Sequence, residues 1–71
     1  MVSVAKGIKR NMQKKGMMQK AVAERAGFTE QQLCDMLAGR KVIRAEYMPA
    51  ISKALGVQIS EIYDAGRDGD S

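Results

Sequence analysis

The chain has 71 residues, with one cysteine, no histidine, and twelve Lys and Arg side chains against eight Asp and Glu. A chain of this length forms one domain at most and buries only about 60% of its unfolded surface, so it depends on close packing. The cysteine count excludes an intrachain disulfide, and the lack of histidine removes the usual zinc sites. Helix-forming residues dominate and no segment alternates like a strand, which predicts an all-α fold.

The charge is distributed unevenly along the chain. Residues 1–53 hold eleven Lys and Arg against four Asp and Glu, whereas residues 54–71 hold one Arg against four acids. A basic body favours a polyanionic partner, although a solvated surface would give the same count. Lys6, Lys9 and Arg10 interrupt the first apolar residues, and no run approaches the ~20 apolar residues of a membrane span. We therefore expect a cytoplasmic protein with no membrane partner.

Helix signals begin at the first residues. Ser3 can cap a first helix that ends near Lys15, with Gly16 as its left-handed stop. A second helix is predicted from Gln19 to Ala26, and Gly27 ends it. Both segments carry apolar residues at helical spacing, which gives each of them one face for the core.

The third helix has the clearest start signal. Thr29 followed by Gln32 is a capping-box pattern, and Phe28 with Leu33 has the spacing of a hydrophobic staple. The helix is predicted to end at Ala38, before a glycine.

Two more helices are predicted in the last third of the chain. A helical turn at Ala45–Tyr47 precedes a fourth helix at Met48–Leu55, where Pro49 lies in the first turn. A short fifth helix covers Ile59–Tyr63. Residues 64–71 are polar and glycine-rich, and we expect them to form a disordered tail after a domain of residues 1–63.

The second and third helices, joined by a tight turn, form the pattern that implies a function. A helix-turn-helix of this size can lay its second helix in the major groove of DNA. On a helical wheel, Leu33, Met36 and Leu37 share one face of the third helix, while Gln31 and Asp35 lie opposite. Amides can read base edges, and Gln pairs bidentately with adenine. A merely solvated face would have the same polarity.

Several features of the chain resemble one family. The segments GMMQKAVAERAGFTEQQLCDMLAGRK and KALGVQISEIY are similar to the Cro/C1-type helix-turn-helix domain of phage and bacterial repressors, over about Ile8 to Tyr63. The resemblance implies a compact five-helix, lambda-repressor-like DNA-binding domain with the helix-turn-helix at helices 2 and 3. It also implies double-stranded DNA as the partner and a repressor as the function.

The resemblance assigns two sets of DNA contacts. The recognition-helix set, which faces bases or phosphates, comprises Thr29, Glu30, Gln31, Gln32 and Asp35. The phosphate set, which lies at the start of helix 2 and in the loop after helix 3, comprises Gln19, Lys20, Arg40, Lys41 and Arg44.

The chain departs from the family pattern at three points. Met18 stands where a capping Ser, Thr or Asn is usual, at a cost of about 1 kcal/mol. Met12 and Leu37 replace a frequent Arg–Glu pair, and we predict that these two side chains touch. Glu30 and Asp35 put negative charge on the expected DNA face, where it would repel phosphates and could accept from cytosine N4.

Other residues have competing interpretations. Cys34 flanks the outward face as either a redox sensor or a half-buried thiol, and the thiol is the stronger interpretation. Four residues either close the core or pair two subunits on a pseudo-palindromic operator: Tyr47, Ile59, Ile62 and Tyr63.

An enzyme, a metal site, a cofactor and a small-molecule ligand are not expected, because no cluster of catalytic or ligating residues is present. The alternative to an operator-binding repressor is a protein-binding module of the same fold, antitoxin-like or anti-repressor. The two acids on the recognition face favour that alternative.

Overall fold

The computed structural model describes residues 3–67, which fold into five helices and one short 3-10 turn. The all-α five-helix fold predicted from the sequence is confirmed. The elements in chain order are α1 Val4–Lys15, α2 Gln19–Ala26, α3 Glu30–Leu37, the 3-10 turn Ala45–Tyr47, α4 Met48–Leu55 and α5 Ile59–Ala65.

The predicted starts of the five helices are confirmed, and the first of them has the predicted cap. The Ser3 hydroxyl accepts from the backbone N–H of Lys6 at 3.2 Å, which satisfies a free donor at the start of α1. Pro49 lies in the first turn of α4, where its missing N–H leaves no helical hydrogen bond unmade. At the end of α3 the prediction is one residue too long, because Ala38 caps the helix instead of continuing it.

Helix α5 is two residues longer than predicted, and a contact with α1 accounts for the difference. Arg10 donates from Nη1 to the carbonyl oxygen of Ala65 at 2.6 Å, and the N–H of Ser3 donates to the carbonyl of Gly66 at 2.9 Å. These donors satisfy carbonyls that the end of a helix leaves free. The predicted helix end at Tyr63 is therefore wrong. Residues 68–71 lie outside the described residues, and the division into domain and tail stays a prediction.

The core draws apolar side chains from all five helices. The largest fully buried side chains are Ile8, Leu33, Met36, Ile51, Leu55, Ile62 and Val22. Met12 and Leu37, which replace the polar pair of the family pattern, are 6% and 4% exposed and belong to the same cluster. The expectation that they meet in the core agrees with this burial, and no lone charge is left there.

Helices α1 and α5 approach each other through two glycines. A Cβ atom added to Gly7 would overlap the backbone carbonyl of Ile62, and one added to Gly66 would overlap the carbonyl of Ser3. Only a residue without a side chain fits at either position. This contact brings the two ends of residues 3–67 together.

Within the described residues, no helix has the length and apolar character needed to cross a membrane. The same part of the chain contains no group of three or more His, Cys, Asp or Glu residues that could hold a metal ion.

Candidate nucleic-acid interface

A sharp turn between α2 and α3 sets the angle of the motif. Gly27 has φ of 86°, a left-handed conformation that residues with a Cβ seldom adopt. The following N–H, from Phe28, donates to the carbonyl of Ala23 at 2.8 Å. Ala23 is fully buried, and its small side chain allows the two helices to pack closely.

The start of α3 is held by a reciprocal cap. The Thr29 hydroxyl accepts from the N–H of Gln32 at 3.0 Å, and Gln32 Oε1 accepts from the N–H of Thr29 at 2.9 Å. The predicted capping box is confirmed. Both side chains are exposed. The Thr29 O–H and the Gln32 NH₂ can still donate outward, because the cap uses only their acceptor oxygens.

The faces of α3 divide as the helical wheel predicts. Leu33, Met36 and Leu37 are buried against the core. On the outward face, Glu30 and Gln31 are exposed, and Cys34 and Asp35 are half-buried. Polar groups of different chemistry therefore line one side of a short helix.

A hydrogen-bonded row runs along this outward face. Gln31 Nε2 donates to Asp35 Oδ1 at 3.0 Å. From the other side, Arg40 Nε donates to the same oxygen at 3.1 Å, and Nη2 lies 3.0 Å from it. Arg40 Nη2 is also 3.9 Å from the sulfur of Cys34. We call Gln31, Asp35 and Arg40 the polar row.

The polar row keeps Asp35 ionised. The hydrogen bond from Gln31 lowers the pKa of the Asp35 carboxyl below its ordinary value of 3.8, and the hydrogen bond and positive charge of Arg40 lower it further. Partial burial opposes this effect, and the charge of Lys41 adds a smaller lowering. The negative charge on this face is therefore present throughout the neutral range.

The predicted phosphate set lies on the elements that flank α3. Gln19 is half-buried at the start of α2, and Lys20 beside it is exposed. Lys41 and Arg44 are exposed in the loop after α3. Arg40 differs from these residues, since its guanidinium lies on the outward face of α3.

The two helices of the motif meet at a shallow depression. A surface cavity of about 340 Å³ is lined by Gln19, Glu30, Gln31 and Cys34. Residues from both predicted contact sets therefore adjoin one another, as a common binding surface requires.

Sequence reasoning missed the contribution of α1 to this surface. A second depression of about 240 Å³ brings two polar residues of α1, Lys9 and Gln13, to the edge of Gln19 and Leu37. Both residues lie off the apolar stripe of α1. The stripe predicts that they face solvent, but it does not indicate which neighbouring helix they adjoin.

The residues considered for subunit contact separate into two groups. Ile62 is fully buried, and Tyr47 packs edge-on against Phe28 with ring centroids 5.1 Å apart, so both belong to the monomer core. Ile59 is partly buried against that core. Tyr63 remains 38% exposed, and it is the exposed member of the group.

Residues 7–67 match the model of a known family, the Cro/C1-type helix-turn-helix DNA-binding domain. The chain belongs to this family. The resemblance predicted from the motifs is confirmed, and α3 is the recognition helix of a helix-turn-helix DNA-binding domain. The assignment of individual DNA contacts stays a prediction.

Comparison with solved structures supports the fold. The chain is similar to the clp gene regulator ClgR from C. glutamicum, with a TM-score of 0.86 and 18% sequence identity. The similarity covers 96% of this chain and 88% of that chain. No curated protein matches the sequence.

Proposed function

We propose that the protein is a sequence-specific regulator of transcription that binds double-stranded DNA and acts as a repressor of phage or mobile-element type. The observation that carries the proposal is the Cro/C1-type domain over residues 7–67, combined with an outward face of α3 that is polar and unobstructed. In such domains the recognition helix enters the major groove, where base edges differ in their donors and acceptors.

Base discrimination is proposed for the recognition-helix set. Gln31 is our first choice for a base contact, because its amide is exposed near the N-terminal end of α3. Its Oε1 atom stays available as an acceptor while Nε2 donates to Asp35. Thr29 and Gln32 keep outward donors, and Glu30 can accept from cytosine N4.

Affinity is proposed to come mainly from cations outside the recognition helix. Lys20, Lys41 and Arg44 are exposed at the two flanks of α3, and Gln19 lies at the start of α2. Each phosphate neutralised by such a side chain releases counterions, which makes binding weaken as salt is raised.

Repression is proposed to be steric. A homodimer on a pseudo-palindromic operator would present two recognition helices about one helical turn of DNA apart, roughly 34 Å. A dimer bound in this way blocks the access of polymerase to the same DNA.

The proposal is tested by selecting binding sites from a random duplex library and then measuring affinity for the selected site. We expect an inverted repeat to be enriched. Gln31→Ala should cost about 1–3 kcal/mol at one base position of each half-site. Gln13→Ala removes an exposed amide at the edge of the surface but outside the recognition-helix set, and it is the matched control. Any change in affinity that it causes should be the same for all sequences, so every base preference should stay unchanged. Enrichment of no sequence at all would contradict the proposal.

One observation favours a second candidate, a protein-binding module of the same fold. Two acids, Glu30 and Asp35, lie on the recognition face, and Asp35 pairs with Arg40. A gel shift on random duplex DNA at several salt concentrations discriminates between the two functions. Weak binding that falls with salt supports the regulator, whereas no binding at low salt supports the protein-binding module.

A further inference from the structure

Arg40 is fixed to α3 through both its backbone and its side chain. Its N–H donates to the carbonyl of Asp35 at 2.9 Å, and Gly39 before it has φ of 84°, which turns the chain back along the helix. Its guanidinium then meets the Asp35 carboxylate through Nε and Nη2. Lys41 shares only the backbone part of this arrangement, because its N–H donates to the same carbonyl at 3.2 Å. The side-chain contact to Asp35 distinguishes Arg40 from Lys41 and Arg44 among the described residues.

The pairing leaves one edge of the guanidinium for a further acceptor. Arginine has five N–H groups in a planar fork. The Nε–Nη2 edge faces Asp35, whereas Nη1 does not. Besides Asp35, Nη2 has a long contact of 3.9 Å with the sulfur of Cys34, which is a weak acceptor and leaves the Nη1–Nη2 edge open to a stronger one. The Arg40 side chain remains 62% exposed, so a ligand can reach that edge. Two parallel N–H donors on one edge match the O6 and N7 acceptors of guanine.

The charge of the pair favours a base over a phosphate. Arg40 and the ionised Asp35 sum to no net charge, and the carboxylate repels a phosphate brought to the same place. Neutral guanine acceptors do not suffer this repulsion in the same degree, and the directional N–H donors of Arg40 are retained. Holding the guanidinium in one orientation before binding also lowers the entropy lost when it meets a base.

We infer that Arg40 reads a guanine in the major groove through its Nη1–Nη2 edge, and that Asp35 is the residue that positions it. The polar row then acts as one unit, with Gln31 on a neighbouring base pair. This inference rests on the proposed DNA-binding function and replaces the phosphate role that the family resemblance implies for Arg40.

The test begins with the site selected by the wild-type protein. Affinity is then measured for that site, for its single base-pair changes, and for copies in which 7-deazaguanine replaces each guanine in turn. This analogue removes the N7 acceptor without altering base pairing. At one guanine the wild-type protein should lose about 5- to 150-fold, whereas Arg40→Ala should already have lost that contact and show no further loss.

Asp35→Asn tests whether Asp35 positions the Arg40 guanidinium or only supports the fold. The substitution keeps the shape of the side chain and removes its charge, so preference for that guanine should fall while binding to random duplex DNA rises. Asp35→Glu should restore part of the preference because it restores the carboxylate. Lys41→Ala is the control for a phosphate contact, and it should weaken all sequences evenly and reduce the salt slope by about 1.

The outcomes distinguish the inference from the function on which it rests. If the wild-type protein enriches no sequence, the proposed function fails and the inference fails with it. If a site is enriched but Arg40→Ala keeps every base preference, or weakens binding evenly like Lys41→Ala, the inference is overturned and the regulator remains. Far-ultraviolet circular dichroism of each variant verifies that the helices are intact.

Discussion

At the scale of single residues, Asp35 connects more partners than any other side chain on the outward face of α3. One of its oxygens receives the Gln31 amide and the Arg40 guanidinium, and its backbone carbonyl accepts from Arg40 and Lys41. The same residue therefore orders the recognition face and the first residues of the following loop. A substitution at Asp35 is expected to disturb both.

We first predict how the pKa of the Asp35 carboxyl depends on its two hydrogen-bond partners. It should lie below 3.8 in the folded protein and rise toward that value in Gln31→Ala, because the Gln31 hydrogen bond is the largest cause of the lowering. Since the folded pKa lies below the unfolded value, the contribution to stability is complete above about pH 4 and is lost as pH falls through the folded pKa.

Carbon-detected NMR titration of the Asp35 carboxyl measures this shift. Lys41→Ala is the control and should change the pKa less, since Lys41 acts only through its charge. A pKa that stays the same in Gln31→Ala and in Arg40→Ala would contradict the arrangement of the polar row.

The sequence predicts which residues lie on the outward face of α3 but not how they are connected. Gln31 and Asp35 are four residues apart, so helical geometry alone allows their contact. The link from Asp35 to Arg40 depends on the left-handed turn at Gly39, which returns the chain to the helix. Spacing in the sequence does not determine the path of such a loop.

At the scale of elements, the starts of α2 and α3 differ in their caps. Thr29 caps α3 with its hydroxyl, whereas Met18 at the start of α2 makes no side-chain hydrogen bond and is 74% exposed. Met18 nevertheless has φ of −88° and ψ of 149°, the extended conformation that a capping residue adopts.

We predict that Met18→Ser stabilises the protein by about 0.5–2 kcal/mol, because a hydroxyl there can accept from a free N–H of α2. Thr29→Ala is the matched control and should destabilise by a similar amount. Urea denaturation followed by circular dichroism measures both changes. If Met18→Ser lowers the free energy of unfolding, the hypothesis that α2 is weakened by the missing N-cap hydrogen bond is contradicted.

The contact between α1 and α5 gives a third prediction. Gly7→Ala should destabilise by at least about 1–3 kcal/mol, because the added methyl group overlaps the backbone of Ile62 and the helices must separate. Lys9→Ala changes an exposed side chain on the same helix and should alter stability by less than about 0.5 kcal/mol. If Gly7→Ala and Lys9→Ala change the thermal stability equally, α1 and α5 can separate to accommodate the methyl group at no cost in free energy, which would contradict the prediction.

Among the helix boundaries, those set by local signals could be predicted from the sequence, and the one set by a distant contact could not. Capping patterns and glycines predict the starts of α1 and α3 and the end of α2, because these signals are local. The last turn of α5 depends on Arg10 and Ser3, which lie more than fifty residues away in the chain. Local patterns do not carry such a contact.

At the scale of the whole molecule, the proposed homodimer needs a surface through which two copies meet on DNA. Ile62 and Tyr47 are used by the monomer core, which leaves Tyr63 on α5 as the exposed aromatic residue of the predicted group. A dimer that pairs through α5 would bury its ring.

We predict that Tyr63→Ala reduces cooperative binding to an operator with two half-sites by about 5- to 10-fold, since a buried aromatic ring contributes at least about 1 kcal/mol. Affinity for a single half-site should not change, and this comparison is the control. Gel shifts on full-site and half-site duplexes measure the difference. Unchanged cooperativity would place the subunit contact elsewhere.

The contact between Ser3 and Gly66 has a consequence for how the fold is encoded. Since residues at opposite ends of the described chain are one hydrogen bond apart, the domain is almost a closed ring. A short peptide bridge could join the ends, and the chain could be reopened at the exposed turn before α5 without separating α2 from α3. We expect the protein with this rearranged order of helices to fold with the same packing and to keep the helix-turn-helix intact. The order of the helices along the chain would then be less essential to the fold than the contacts between them.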